Sequence, residues 1–196
     1  DLLEEKQLRL IQDNFTLKEL SLIDHLTGIG NRRYIDMLGL KIWQTAMEHT
    51  VSITVMMFDI DLFKSYNDRF GHQAGDELLH AIGSALKKRV RTETDLIGRY
   101  GGEEFLIIMY NLLSEKAMQI AEGIRKTVES MHEQHPTEIV GHATISIGVF
   151  CGAPSTKNTF EQMVHKADCA LYRAKQTGRN KVVLYYPTME QVIDPH

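Results

Sequence analysis

Phe58-Asp59-Ile60-Asp61 sets two carboxylates at the end of a fully apolar run that begins at Ile53. Carboxylates are costly to hold against an apolar strand unless something pairs with them, and a hard divalent cation carrying phosphate oxygens is a fitting partner. The competing use for Asp61 is as a helix cap ahead of Leu62-Phe63-Lys64. A second acidic pair lies in Arg99-Tyr100-Gly101-Gly102-Glu103-Glu104-Phe105. Acids directly after a turn and beside apolar strand are partly desolvated, which raises a carboxyl pKa toward values useful for taking a proton. If the strand pleat runs through the pair, Glu103 and Glu104 face opposite sides of the sheet, and only one of them aims at a shared site. The alternative is a solvated hairpin tip whose charges discourage edge pairing.

Two weaker clusters follow. Lys64-x-x-Asn67 precedes Gly71-His72-x-x-Gly75-Asp76. An amide and a carboxylate flanking a glycine-bearing turn into a helix can converge on a planar ring edge that offers donors and acceptors, as guanine does. Both are also ordinary turn and cap residues. Ala174-Lys175-x-x-Gly178-Arg179-Asn180 ends a helix before a strand. Gly178 reads as a C-cap with cations that suit the helix dipole, and the functional reading adds phosphate contacts from Lys175 and Arg179. No pair among His142 and the other histidines has ligand spacing. Cys151 and Cys169, without a CxxC motif, read as idle thiols in a reducing compartment.

Residues so far apart need a sheet to bring them together. The pattern predicts helices over 31–49, 72–91, 114–132 and 159–177, and strands over Ile53–Phe58, Leu96–Arg99, Phe105–Met109, Thr144–Phe150 and Val182–Tyr186. The second and third strands face each other across Gly101-Gly102, a dipeptide that accepts positive φ and suits a tight hairpin turn. Interleaved strands and helices imply a mostly antiparallel sheet with helices packed on it. Residues 1–23 contain no Gly or Pro, and Leu8, Ile11, Phe15 and Leu22 make a heptad-compatible seam. Such a helix is too short and polar to stand alone, so it pairs with a copy of itself or docks on the domain. The turn formers from Asp24 to Asn31 mark its end.

The 196 residues, with 43% apolar and 24% charged, suit one soluble globular domain with a short appendage. No apolar run approaches the ~18–20 residues that span a bilayer, and the start lacks signal-peptide order. The chain begins at Asp, consistent with a piece of a longer protein. A net charge of -4 leaves no basic face for a nucleic-acid backbone. A phosphate ligand must then be held by local cations and backbone N–H groups.

Together with Asp24-His25-Leu26-Thr27-Gly28-Ile29-Gly30-Asn31-Arg32-Arg33, these clusters resemble in order and spacing the GGDEF family of diguanylate cyclases, here with Gly-Gly-Glu-Glu-Phe at 101–105. The resemblance covers residues 24 to about 186 and includes Ile145-Ser146-Ile147-Gly148-Val149 and Asp168-Cys169-Ala170-Leu171-Tyr172-Arg173-Ala174-Lys175. It implies an α/β fold with a five-stranded, mostly antiparallel central sheet surrounded by helices, similar to the palm of nucleotidyl cyclases and polymerases and preceded by an N-terminal helix. The expected organisation is a linker helix over 1–23, the cyclase domain over 24–187 and a tail over 188–196. The implied activity is condensation of two GTP into cyclic di-GMP with release of two pyrophosphates, in a homodimer holding one GTP per subunit.

Carried over residue by residue, the resemblance places Asp59, the carbonyl of Ile60, Glu103 and Glu104 at one or two Mg²⁺ or Mn²⁺ ions. Glu103 matches the general-base position. Backbone N–H groups around Leu62 and Phe63, with Lys64, Lys175 and Arg179, hold the phosphates, and Lys64 also offsets charge developing in the transfer. Asn67 and Asp76 match the guanine readers, with His72 in the same segment. One departure stands out: Asp95 keeps the acid of the family's inhibitory Arg-x-x-Asp, but Thr92 stands where the arginine belongs and Arg91 is one residue out of register. Losing that guanidinium predicts weak or absent product inhibition. The domain is expected in the cytoplasm, behind an upstream sensory domain, with no nucleic-acid partner and no membrane in this stretch. The competing functions are a catalytically silent nucleotide receptor and a cyclase making a mononucleotide.

Overall fold

A computed structural model describes residues 6–7, 22–91, 93–131 and 143–192. The expected linker helix therefore lies almost wholly outside the described residues, as does Thr92. The elements are α1 (Arg32–Glu48), β1 (Ile53–Ile60), α2 (Phe63–Phe70), α3 (His72–Lys87), β2 (Leu96–Arg99), β3 (Glu104–Tyr110), α4 (Ser114–Glu129), β4 (Ile145–Gly152), α5 (Phe160–Gln176) and β5 (Val182–Leu184). A 3₁₀ turn over Pro187–Val192 is the last described element and seats Met189 in a small cluster with Cys169 and Ala170 of α5.

Five strands form one sheet in the order β2-β3-β1-β4-β5. The β4/β5 pair is parallel and the rest are antiparallel. β1 is the central strand, and every residue from Ile53 to Ile60 is buried because helices cover both faces. Strand alternation divides its side chains. Ile53, Val55 and Met57 join Leu106, Ile108, Phe160 and Val164 in the core with α1 and α5. Met56, Phe58 and Ile60 join Phe105, Ile107 and Ile147 in the core with α3 and α4. Phe58 and Phe105 stack there with ring centroids 5.2 Å apart. Each such fully buried side chain contributes ~1.5–3 kcal/mol.

Two local devices fix the helices that frame the site. Thr159 and Gln162 form a reciprocal capping box at the start of α5. At β4, a Cβ on Gly148 would lie 2.1 Å from both the Ala167 carbonyl oxygen and the Leu171 nitrogen, so the α5 backbone rests directly on the strand.

Two local expectations need correction. α2 was not anticipated: Ser65, Tyr66, Asn67 and Asp68 are indifferent helix formers, and the short helix is held by burial of Tyr66. Gly71, at φ +88°, then breaks the direction into α3. The hairpin turn uses no left-handed glycine, since neither Gly101 nor Gly102 takes positive φ. The backbone N–H of Tyr100 and of Gly101 instead donate to the Glu104 carbonyl at 2.8 and 3.3 Å. A Cβ at Gly101 would lie 2.6 Å from Glu104 Oε2, so a larger residue there would displace that carboxylate.

Candidate functional site

The site forms where β1 runs out. Asp59 and Glu104 are direct cross-strand partners in the β1/β3 register. Glu103 lies one residue before β3 and belongs to the loop, so the pleat does not separate the two acids as supposed. The Glu103 carbonyl accepts from the Ile60 N–H at 3.4 Å, which ties this loop to the end of β1. Asp59 is 7% exposed. Burial pushes its carboxyl up to about 6, against the hydrogen bond and charge of Lys175 and with further push from the charges of Glu103 and Glu104. Both acids therefore share one field with Asp59. Lys175 Nζ stands 2.9 Å from Asp59 Oδ2 as its resident cation. Among the described residues, no three His, Cys, Asp or Glu side chains are grouped closely enough to hold a metal ion. The donor chemistry nevertheless fits a hard divalent cation: a buried carboxylate paired with one ammonium and within the field of two more carboxylates.

Asp61 takes neither of the roles considered for it. Its carboxylate accepts from Thr144 Oγ1 at 2.7 Å, Ser146 Oγ at 2.6 Å and the Asn180 N–H at 3.0 Å. The start of α2 is consequently left without a side-chain cap, after Leu62 in a left-handed conformation at φ 56°. The first N–H groups of a helix have no intrahelical acceptor, and with Lys64 exposed on that turn they form a place where an anion is favoured. Lys175 stands in the last turn of α5, and Arg179 follows on the exposed turn after it.

Asn67 on α2 faces the first turn of α3. Its Oδ1 is buried with no hydrogen-bond partner among the described residues. A Cβ on Gly75 would lie 1.9 Å from that oxygen, so glycine at 75 is what lets the amide sit there. Asp76, the next residue, is exposed, and exposed His72 opens α3. Spacing alone brought these residues together, and the α2–α3 corner places them on adjoining helical turns.

Sequence reasoning missed Arg99. Its Nε and Nη2 donate to the Gly102 carbonyl at 2.9 and 2.6 Å, and its Nη1 reaches Asp24 Oδ2 at 3.3 Å. Burial works against the charge of Asp24, but hydrogen bonds from the Thr27 side chain and backbone and the Arg99 charge hold its carboxyl below the ordinary value. No spacing rule links two residues so far apart; the adjacency of Arg99 to the Gly-Gly signature was the one available signal. Beside Glu104 a cleft of about 610 Å³ is lined by Arg32, Tyr100, His165 and Asp168, with the Arg32 guanidinium 3.5 Å from the Tyr100 ring centroid. Asp95 lies elsewhere, its side chain buried and paired bidentately with Arg91 at 2.9 and 2.7 Å.

The five-stranded sheet in this order, with the acid that ends β1 and the acids around the β2–β3 turn in one field beside a lysine of α5, is the architecture on which the chain's family can be judged. The chain belongs to the GGDEF family: the family model described as diguanylate cyclase, GGDEF domain, matches residues 21–181. It is 40% identical over 167 residues to the response regulator PleD of Caulobacter vibrioides, covering 84% of this chain and 36% of PleD. It is 35% identical over 175 residues to diguanylate cyclase A of Treponema denticola, covering 88% of this chain and 46% of that protein. The chain thus spans less than half the length of these curated relatives. Among solved structures, the active GGEEF domain of a diguanylate cyclase from Vibrio cholerae superimposes with a TM-score of 0.73 at 30% identity, covering 85% of this chain and 99% of that one. Among the described residues, no helix is long and apolar enough to cross a membrane.

Proposed function

We propose that this chain is a diguanylate cyclase that joins two GTP into cyclic di-GMP, working as a homodimer with one GTP on each subunit. The observation that carries this reading is the meeting of Asp59, Glu103 and Glu104 in one field beside Lys175, next to an uncapped helix start. The 3′-hydroxyl oxygen of one nucleotide attacks the α-phosphorus of the other, the bond to the β-phosphate oxygen breaks, and pyrophosphate leaves; the same event in the opposite sense closes the ring. Glu103 takes the hydroxyl proton. The N–H groups of Leu62 and Phe63, with Lys64, Lys175 and Arg179, bind the triphosphate and stabilise charge that moves onto the leaving oxygens. Asn67 and Asp76 read the guanine edge, with His72 bordering that pocket.

Asp59, the Ile60 carbonyl, Glu103 and Glu104 are the residues that would hold Mg²⁺ or Mn²⁺. When bound, such an ion polarises the phosphoryl oxygens and makes the 3′-hydroxyl more acidic. We assign residues 1–23 to a linker helix that brings two copies together, 24–187 to the catalytic domain and 188–196 to a tail. A GTP-consuming reaction places the domain in the cytoplasm, under control of a sensory domain outside this stretch.

The test is to incubate the protein with Mg²⁺ and GTP and separate the nucleotides. Cyclic di-GMP supports the reading; cyclic GMP or unreacted GTP overturns it. Glu103→Gln keeps size and hydrogen bonding but removes the carboxylate, so turnover is lost while circular dichroism stays unchanged. Retained turnover removes Glu103 from its role.

A further inference from the structure

The turn after α5 passes through three successive residues with positive φ: Gly178 at 112°, Arg179 at 60° and Asn180 at 45°. Glycine adopts such values freely, asparagine with some tolerance and arginine reluctantly. A strained backbone of this kind persists only where its surroundings over-determine it. Asn180 is determined from three directions. Its N–H donates to Asp61 Oδ2 at 3.0 Å, its Nδ2 donates to Glu129 Oε1 at 2.7 Å, and its Oδ1 accepts from Arg125 Nη1 at 2.7 Å.

Two of these three partners are themselves fixed by further bonds. Arg125 of α4, with its side chain 11% exposed, also donates to Glu122 Oε1 at 2.7 Å and Glu129 Oε2 at 2.9 Å. Asp61 is held by Thr144 and Ser146. The neighbouring Arg179 N–H donates to the Ala174 carbonyl at 3.0 Å, whereas the Arg179 side chain is exposed and engages none of the described residues. A largely buried guanidinium on α4, held in place by Glu122 and Glu129, thus also grips the Asn180 amide, and that amide adjoins an unengaged guanidinium. Because Asn180 is bonded to Asp61, two residues from Asp59, the turn stands at the rim of the acidic site.

We propose that Arg125, acting through Asn180, is a positioning residue for the nucleotide: the clamp holds residues 179 and 180 left-handed, so that Arg179 is presented to the triphosphate already ordered. This rests on the reading of Arg179 as a phosphate ligand. Pre-ordering a charged contact strengthens binding without touching the reacting atoms. The signature of the clamp is a loss in binding, with turnover at saturation nearly unchanged. A plain structural clip between α4 and the turn would lower stability and leave binding intact.

The experiment compares Arg179→Ala, Arg125→Met, Arg125→Lys and Asn180→Gly, measuring KM and kcat for GTP, calorimetric affinity for a non-hydrolysable GTP analogue, and Tm. Asn180→Gly is the informative variant, since it keeps the left-handed backbone accessible and deletes only the clamp. Arg179→Ala is expected to weaken analogue binding about tenfold or more. Asn180→Gly and Arg125→Met are expected to weaken it about fivefold, with kcat within about twofold, and Arg125→Lys to recover part of the loss. Arg125→Met in an Arg179→Ala background is expected to add no further loss. If Arg179→Ala binds like the parent, the phosphate reading falls and the positioning role with it. If Arg179→Ala weakens binding while Asn180→Gly and Arg125→Met do not, the positioning role alone is overturned. Should Arg125→Met not fold, Asn180→Gly and Arg125→Lys decide the matter by the same criteria.

Discussion

The ammonium of Lys175 lies 2.9 Å from Oδ2 of Asp59, so the buried carboxylate at the end of β1 carries its own counter-charge before any ligand arrives. Charges taken out of water are repaid only in part by mutual attraction. This pairing therefore marks a place where local stability yields to a function that needs an ionised oxygen.

Asp59→Asn should accordingly stabilise the fold while removing activity. Burial raises the Asp59 carboxyl from 3.8 to about 6, so the folded state binds the proton more tightly than the unfolded state between those values. The group's contribution to stability is full below its unfolded value and is lost as pH rises through about 6. The gain from Asn is thus largest above pH 6, up to ~3 kcal/mol, and shrinks as pH falls toward 4. Thermal melts of the two proteins across this range check it; a gain that grows toward acid would contradict the assignment.

Gly75→Ala should act on nucleotide selection without unfolding the domain. The added methyl meets Asn67 Oδ1 at 1.9 Å, and the amide must turn away. Loss of one base-edge contact costs ~1–3 kcal/mol, so KM for GTP rises about tenfold or more while Tm changes little. Unaltered KM would show that Asn67 does not read the base.

Cyclic di-GMP should bind poorly at the site around Asp95. That side chain is buried and already saturated by the Arg91 guanidinium and backbone N–H, and Thr92 offers no replacement cation. Calorimetric titration should give no tight complex. A tight one that disappears in Asp95→Ala would refute this.

Arg99→Ala should loosen the signature loop. It leaves the Gly102 carbonyl without its two donors and Asp24 without its ion pair, a loss of ~1–3 kcal/mol. The Asp24 part of that loss depends on pH. Its carboxyl is held below the ordinary value, so its stabilising effect is present above that value and lost as pH falls through the lowered one. The melting difference from the parent should therefore narrow in acid.

Much of this was legible from residue types. The apolar run of β1, the acids that end it and the glycine-flanked Glu103 and Glu104 all follow from local patterns. Register was not, because which residue of β3 opposes Asp59 depends on where the loop leaves the pleat, and that is set by the Glu104 carbonyl taking two N–H donors. The short α2 was hidden by side chains without helical preference. Asp61 looked like a ligand or a cap, and its real partners, Thr144, Ser146 and Asn180, lie far along the chain, where spacing carries no information. Arg99 and Arg125 were obscure for the same reason.

The missing methyl at Gly148 has one more implication. With Ala167 and Leu171 in direct backbone contact with β4, α5 has no freedom to slide or roll over the sheet. Since β4 is bonded to β1, the spacing between the α5 backbone that carries Lys175 and the strand that carries Asp59 is set by main-chain contacts. Side-chain drift elsewhere in the core can accumulate over generations without detuning that spacing, whereas any residue larger than glycine at this one position would push the two halves of the site apart.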